Sequence, residues 1–201
     1  MPIMGRRGNE SPVEEPSMKW VVIVLIILIV LVAVLLIANY NGLVGLRNKI
    51  ESAYSQIDVQ LNRRYSLIPN LVETVKGYAA HESGTLEKVV QARNLAMNTN
   101  GIADKAEAEN AITGALKSVF ALSEAYPELK ANTNFQQLQA ELSSTEDRIA
   151  YARQYYNDNV RAYNTKIEAF PSNLIANAFK FTQREYFQAQ GDARGDVSVS
   201  F

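Results

Sequence analysis

Nineteen consecutive residues, Trp20 to Ala38, carry no charge, no glycine and no proline, and sixteen of them are Val, Ile or Leu. As a helix the run is roughly 29 Å long, the thickness of a bilayer's hydrocarbon core. On an insertion scale of about −0.3 to −0.6 kcal/mol per central aliphatic residue, the sixteen contribute about −5 to −10 kcal/mol, and no charge opposes them. The competing reading is a cleaved leader, whose apolar stretch is about 7–15 residues and ends at a small-x-small site. Here the run is longer and its exit reads Leu36-Ile37-Ala38-Asn39, with leucine where a small residue belongs. These residues specify an uncleaved, single-pass transmembrane helix with ends at Trp20 and Ala38. The chain has no cysteine, which excludes a lipid-modified cysteine anchor, a disulfide framework, a thiolate nucleophile and a cysteine zinc site.

The run divides the chain into a tail over 1–19, the transmembrane helix over 20–38, a helical domain over 39–188 and a C-terminal tail over 189–201. Pro2, Pro12 and Pro16, two glycines and charges of both signs make the first part read as disordered. The final GDARGDVSVSF reads as flexible, and its Arg194-Gly195-Asp196 triplet as chance rather than an adhesion signal. The whole chain holds 20 Lys or Arg and 21 Asp or Glu; removing the three of each sign before residue 39 leaves 17 against 18. Such balance makes no field that attracts nucleic acid. Basic residues are also even across the span, with Arg6, Arg7 and Lys19 before it and Arg47 and Lys49 after it. Charge bias therefore places the domain on neither side of the cell membrane.

After Asn39 the apolar pattern becomes helical. Leu43, Leu46, Ile50, Ala53, Ile57 and Leu61 follow steps of three and four, an amphipathic stripe continuous with the span. Gly42 and Gly45 weaken the junction and are expected to allow a bend. Ile68, Leu71, Val75 and Tyr78 repeat the period, but Pro69 removes a backbone donor, so a kink or a helix restart is expected there. Ser83 or Thr85 is expected to cap a short helix ending near Met97. Residues 98–101 read as a loop, and Asp104 with Glu107 as a capping box that opens a third helix. From Phe135 to Phe170 there is no Gly or Pro, and a three-and-four spacing sets Phe135, Leu142, Ile149, Tyr156, Tyr163 and Phe170 on one face with only Thr145 polar. That helix would span roughly 54 Å, and Pro171 ends it. Strand-type alternation is confined to the last six residues. The fold class is all-α: a bundle of two long helices and two shorter ones behind one transmembrane helix.

Catalytic spacing is not found. His81 is the only histidine and cannot build a multi-His zinc site, and Tyr78 stands where a di-iron motif needs Glu. Glu141, Glu146 and Asp147 beside Arg148 and Arg153 read as a solvated face with weak ion pairs. Ser143-Ser144 has no histidine partner identifiable by spacing, and no glycine-rich phosphate loop occurs. The reading is non-enzymatic, with no catalytic, cofactor-binding or metal-ligating residue. What remains are candidate surface residues. Arg63 and Arg64, about 38 Å beyond the span on a straight helix, either pair with acids of another helix or mark a partner surface. Tyr151 and Tyr155 form an i, i+4 pair that either packs in the bundle or binds protein. Phe179 and Phe181 belong to an amphipathic segment over 173–188 that packs on the bundle, lies on the membrane or docks to a partner.

Several segments also resemble a known family. RRYSLIPNLVETVKGYAAHE (63–82), SEAYPELKANTNF (123–135), LQAELSSTEDRIAYARQYYNDNVRAYN (138–164) and FPSNLIA (170–176), in this order behind an apolar span, are similar to the LemA family of bacterial membrane proteins. The likeness covers about residues 20–188. It implies an antiparallel four-helix bundle, and neither an established enzymatic activity nor a cofactor. The family includes proteins required for forming magnetosome membranes, and its members often accompany membrane metalloproteases. The resemblance thus implies a scaffold or adaptor at the lipid bilayer, forming a homo-oligomer or recruiting a membrane protein partner such as a membrane metalloprotease. The alternatives are membrane remodelling through 173–188 and an enzyme or transporter component. A lone span without polar residues argues against a monomeric transporter.

Overall fold

A computed structural model of the protein describes residues 18–188. Among them the regular elements are helical: α1 (Met18–Lys76), a 3-10 turn (Ala80–Glu82), α2 (Ser83–Asn98), α3 (Ile102–Leu122), α4 (Pro127–Ala131), α5 (Thr133–Glu168) and α6 (Ser172–Ala178). α1 starts two residues inside the expected N-terminal tail. The rest of that tail, the Arg194-Gly195-Asp196 triplet and the last six residues lie outside the described residues. The 59 residues of α1 extend roughly 88 Å. Trp20 to Ile37 are exposed, whereas from Leu43 onward the stripe Leu43, Ile50, Ala53, Ile57 and Leu61 is buried and Leu46 partly so. The helix passes Gly42 and Gly45 unbroken. Gly42 faces α5, where the Lys166 ammonium occupies the space a Cβ would take.

α1 also passes Pro69 without a restart. Proline has no N–H to give the carbonyl four residues back, and an unpaired carbonyl in a packed helix is costly. That carbonyl belongs to Tyr65, and Arg93 of α2 supplies the missing donor, its Nε lying 2.8 Å from the Tyr65 oxygen. A tertiary bond replaces the lost helical one. Arg93→Ala is therefore expected to destabilise the protein by about 1–2 kcal/mol. The cost should shrink in a Pro69→Ala background, where residue 69 regains its N–H. Chemical denaturation of the four variants measures this coupling, and equal costs in both backgrounds would refute it.

Cross-helix pairs give the helix directions. Gly42 meets Lys166, Tyr54 faces the Tyr156 ring, and Arg64 meets Glu146, so rising numbers on α1 meet falling numbers on α5 and the two run antiparallel. Asp58 meets Lys105 while Arg64 meets Glu109 and Thr113, so α1 and α3 run parallel. α2 turns back beside α1 and brings Arg93 to Tyr65. α5 opens on Asn132, whose Oδ1 accepts from the Phe135 N–H at 2.9 Å. Its core face is buried at nine positions from Phe135 to Ile167, while the helix ends at Glu168 and leaves Phe170 exposed. Thr145 is tolerated inside because its hydroxyl donates to the Glu141 carbonyl at 2.8 Å.

Two expected caps are absent. Ser83 is the first helical residue of α2 behind Glu82, and α3 starts at Ile102 behind Gly101 (φ 102°); neither helix has a side-chain cap bond. Asp104 falls within the first turn of α3 instead.

The amphipathic segment over 173–188 is helical only in its first part. α6 ends at Ala178, and residues 181–188 return along α5 without helical structure. Asn164 donates to the Arg184 carbonyl and accepts from its N–H, both at 2.9 Å. One heptad earlier on α5, Asn157 accepts from the Phe187 N–H at 2.8 Å and donates to its carbonyl at 3.4 Å. These amides satisfy backbone groups that have no helix partner. Phe187 is fully buried, edge-on to Tyr156 and beneath the Arg153 guanidinium. The Tyr156 hydroxyl donates to the Glu185 carbonyl at 2.9 Å, and burial pushes its pKa up to about 12.

Candidate functional site

The most concentrated polar chemistry lies inside the helical domain, where α1, α3 and α5 meet. Arg64 falls on the buried stripe of α1, three residues after Leu61 and four before Ile68, and is only 2% exposed. Glu109 occupies the equivalent place on α3, three residues before Ile112, and is 1% exposed. Arg64 Nη1 lies 3.3 Å from Glu109 Oε2, and Nη2 lies 2.8 Å from both Glu146 Oε2 and the Thr113 hydroxyl. The Thr113 hydroxyl is in turn 3.2 Å from Glu146 Oε1. Tyr65 donates its hydroxyl to the other oxygen of Glu109. Nearby, Lys105 pairs with Asp58 at 3.4 Å.

Burial pushes the Glu109 carboxyl above the usual carboxylate value, although the Tyr65 bond and then the charges of Arg64 and Lys105 pull it back. Burial also raises the Tyr65 phenol, and the Glu109 carboxylate raises it further, so Tyr65 stays a hydrogen-bond donor. A groove of about 480 Å³ runs past Arg64 and Glu146 between α3 and α5, walled by Leu116, Phe120 and Leu142. Beside it the guanidinium meets Glu109, Glu146 and Thr113. The chemistry is that of a clamp joining three helices, with directional bonds that an apolar contact would lack.

The structure separates the candidate surface residues. Arg64 is not on an outer surface: of its two readings, pairing with acids of other helices is the one the fold adopts. Arg63 lies outside, half-exposed, 3.6 Å from Glu141. Glu146, read from sequence as part of a solvated face, reaches inward to Arg64. Tyr151 is 74% exposed and Tyr155 is exposed too, so neither packs in the core. Phe179 and Phe181 both face Tyr40 of α1, at ring distances of 4.9 and 5.8 Å. His81 is exposed in the 3-10 turn, and among the described residues no three acidic or His side chains gather as a metal-holding group.

Sequence reading missed Glu109, Tyr65 and Thr113. The signal was a charge standing on an apolar stripe: Arg64 fills the gap between Leu61 and Ile68, and Glu109 the step before Ile112. A charge at such a position must find a partner or leave the core.

The regular elements among the described residues are helices, an all-helical class, and one of them is long and apolar enough to cross a membrane. The model of the LemA family matches residues 53–201. Protein LemA of Metamycoplasma hominis is 32% identical over 165 residues, which cover 80% of this chain and 74% of that protein. Magnetosome protein MamQ 2 of Paramagnetospirillum magneticum is 28% identical over 190 residues, covering 82% of this chain and 69% of its own. Magnetosome protein MamQ of Magnetospirillum gryphiswaldense is 26% identical over the same shares. The chain belongs to the LemA family. Its family match begins at Ala53, beyond the apolar run, and includes Arg64, Tyr65, Glu109, Thr113 and Glu146. None of these relatives' names is that of an enzyme.

Proposed function

We propose that the protein is a membrane-anchored helical scaffold or adaptor without catalytic activity. In this reading α1, α2, α3 and α5 form an antiparallel four-helix bundle, carried by a single-pass span over Trp20–Ala38, that binds a second copy of the chain or a membrane protein such as a metalloprotease. The alternating directions of the helices support the bundle, and the exposed, uncharged stretch of α1 over Trp20–Ala38 supports the span.

The observation that carries the binding role is a groove of about 610 Å³ between α1 and α5, walled by Val59, Gln60, Asp147, Arg148 and Tyr151. Val59 and Tyr151 are exposed at its sides, and Gln60 Oε1 is buried without a hydrogen-bond partner. Exposed aromatic side chains beside a concave wall are enriched at protein-binding surfaces. Tyr155 continues this aromatic edge one turn along α5.

A photo-crosslinking residue at Tyr155 in native membranes tests the proposal. The expected products are a two-copy species or a defined adduct with one membrane protein. Tyr151→Asp should reduce either by about 10-fold while changing stability by no more than about 0.5 kcal/mol, because the side chain is exposed. A chain that crosslinks to neither itself nor another membrane protein overturns the scaffold reading.

A further inference from the structure

The apolar run of α1 does not end alone. Leu36, Ile37 and Tyr40 form one wall of an apolar groove of about 410 Å³, and α6 with the residue after it forms the other through Leu174, Ile175 and Phe179. Ile175 is buried, whereas Leu174 and Phe179 are 59% and 62% exposed, and Phe170 just before α6 is 80% exposed. If hydrocarbon ends at Ala38, Leu36 lies about 3 Å inside it and Tyr40 about 3 Å outside it. The headgroup layer beyond is about 5–8 Å thick per leaflet, and tyrosine rings concentrate there. Side chains packed on Leu36, Ile37 and Tyr40 share that depth. Lys180 is exposed beside Phe179, and the Lys166 ammonium lies against Gly42, one turn past Ala38.

We infer that Phe170, Leu174 and Phe179 form a membrane-docking foot, seated in the boundary between acyl chains and headgroups around the exit of α1. The occupant is lipid because the groove's own wall is the end of the span: whatever surrounds Leu36 and Ile37 in the bilayer also reaches α6. The helical domain consequently rests on the membrane instead of standing off it on a bare stalk. The foot rests on the reading of Trp20–Ala38 as the span, and goes beyond the lateral groove of the scaffold proposal.

The absence of cysteine makes single labels unambiguous. Full-length protein carrying a nitroxide at Ile29→Cys, Tyr151→Cys, Phe170→Cys or Leu174→Cys is reconstituted in phosphatidylcholine–phosphatidylglycerol bilayers. Collision with oxygen is compared with collision with a water-soluble nickel chelate. Position 29 should sit in hydrocarbon and position 151 in water. Positions 170 and 174 should show a nickel-to-oxygen ratio at least about 5-fold below that of 151. If 170 and 174 match 151 while 29 is in hydrocarbon, the foot is wrong and the span stands. If 29 itself is in water, both fail. If 170 and 174 are shielded from both reagents and couple magnetically between copies, a second copy covers the face and the lipid assignment is overturned. All four positions are exposed, so the labels leave the core intact.

Discussion

Arg64→Ala is expected to lower the stability of the helical domain by about 3–5 kcal/mol, because it strands the carboxylate of Glu109 inside the protein without its counter-charge. Few single changes in this chain should cost more. Replacing the group together tests the cause. The triple variant Arg64→Met, Tyr65→Phe, Glu109→Leu removes the charges and the phenol that depends on them, and should recover most of the loss, since apolar replacement of a buried pair is often near neutral. Glu146, which is partly exposed, can then turn to water. Denaturant unfolding followed by helical circular dichroism reads both variants. A triple variant no more stable than the single one would show that volume, not uncompensated charge, sets the cost.

The pH dependence follows from the same group. The folded Glu109 already binds its proton more tightly than an unfolded carboxyl does, mainly through burial. Removing Arg64 deletes one of the influences that hold that value down, so it rises further. Between the unfolded and folded values the folded state binds more protons, and stability therefore falls as pH rises through that window. The Arg64→Ala deficit should accordingly shrink as pH is lowered from 8 toward 5. A deficit that is constant or grows over that range would mean that Glu109 stays charged in the variant.

Membrane insertion should survive one charge in the span and fail with three. Exchanging a central Leu or Val for Lys costs about 3–4 kcal/mol on the insertion scale, so Leu25→Lys, Leu28→Lys and Val32→Lys together cost about 9–12 kcal/mol. The apolar run contributes about −5 to −10 kcal/mol in total. The triple variant should appear in the soluble fraction after alkaline carbonate extraction, while Leu28→Lys alone stays with the membrane. Retention of the triple variant would mean that α6 and its neighbours, rather than the span, hold the protein at the bilayer.

Much of the architecture was legible in the chain because helices announce themselves locally. The stripe from Leu43 to Leu61 and the face from Phe135 to Ile167 are buried where their spacing put them. The errors fall where a residue's fate depends on a distant partner. At Pro69 the chain signals a kink or a restart; the helix does not restart, and Arg93 of another helix takes up the orphaned carbonyl. Capping at α2 and α3 failed because side chains able to cap fell inside the first turn. The segment after Ala178 packs on the helical domain, one of its expected readings, but the Asn157 and Asn164 amides that hold its non-helical backbone there carry no periodic signal.

By itself the sequence determined an uncharged run long enough to cross a bilayer, a helical domain behind it and the core faces of the long helices, since hydropathy and a 3.6-residue period act through neighbours in the chain. It also carried the family motifs. Only the tertiary structure decided that Arg64 is the centre of a clamp instead of a surface charge, and that α6 sits beside the end of the apolar run. Both depend on which helices come to lie side by side. The free energy of a charge or an apolar ring is set by what surrounds it, and distant segments supply those surroundings.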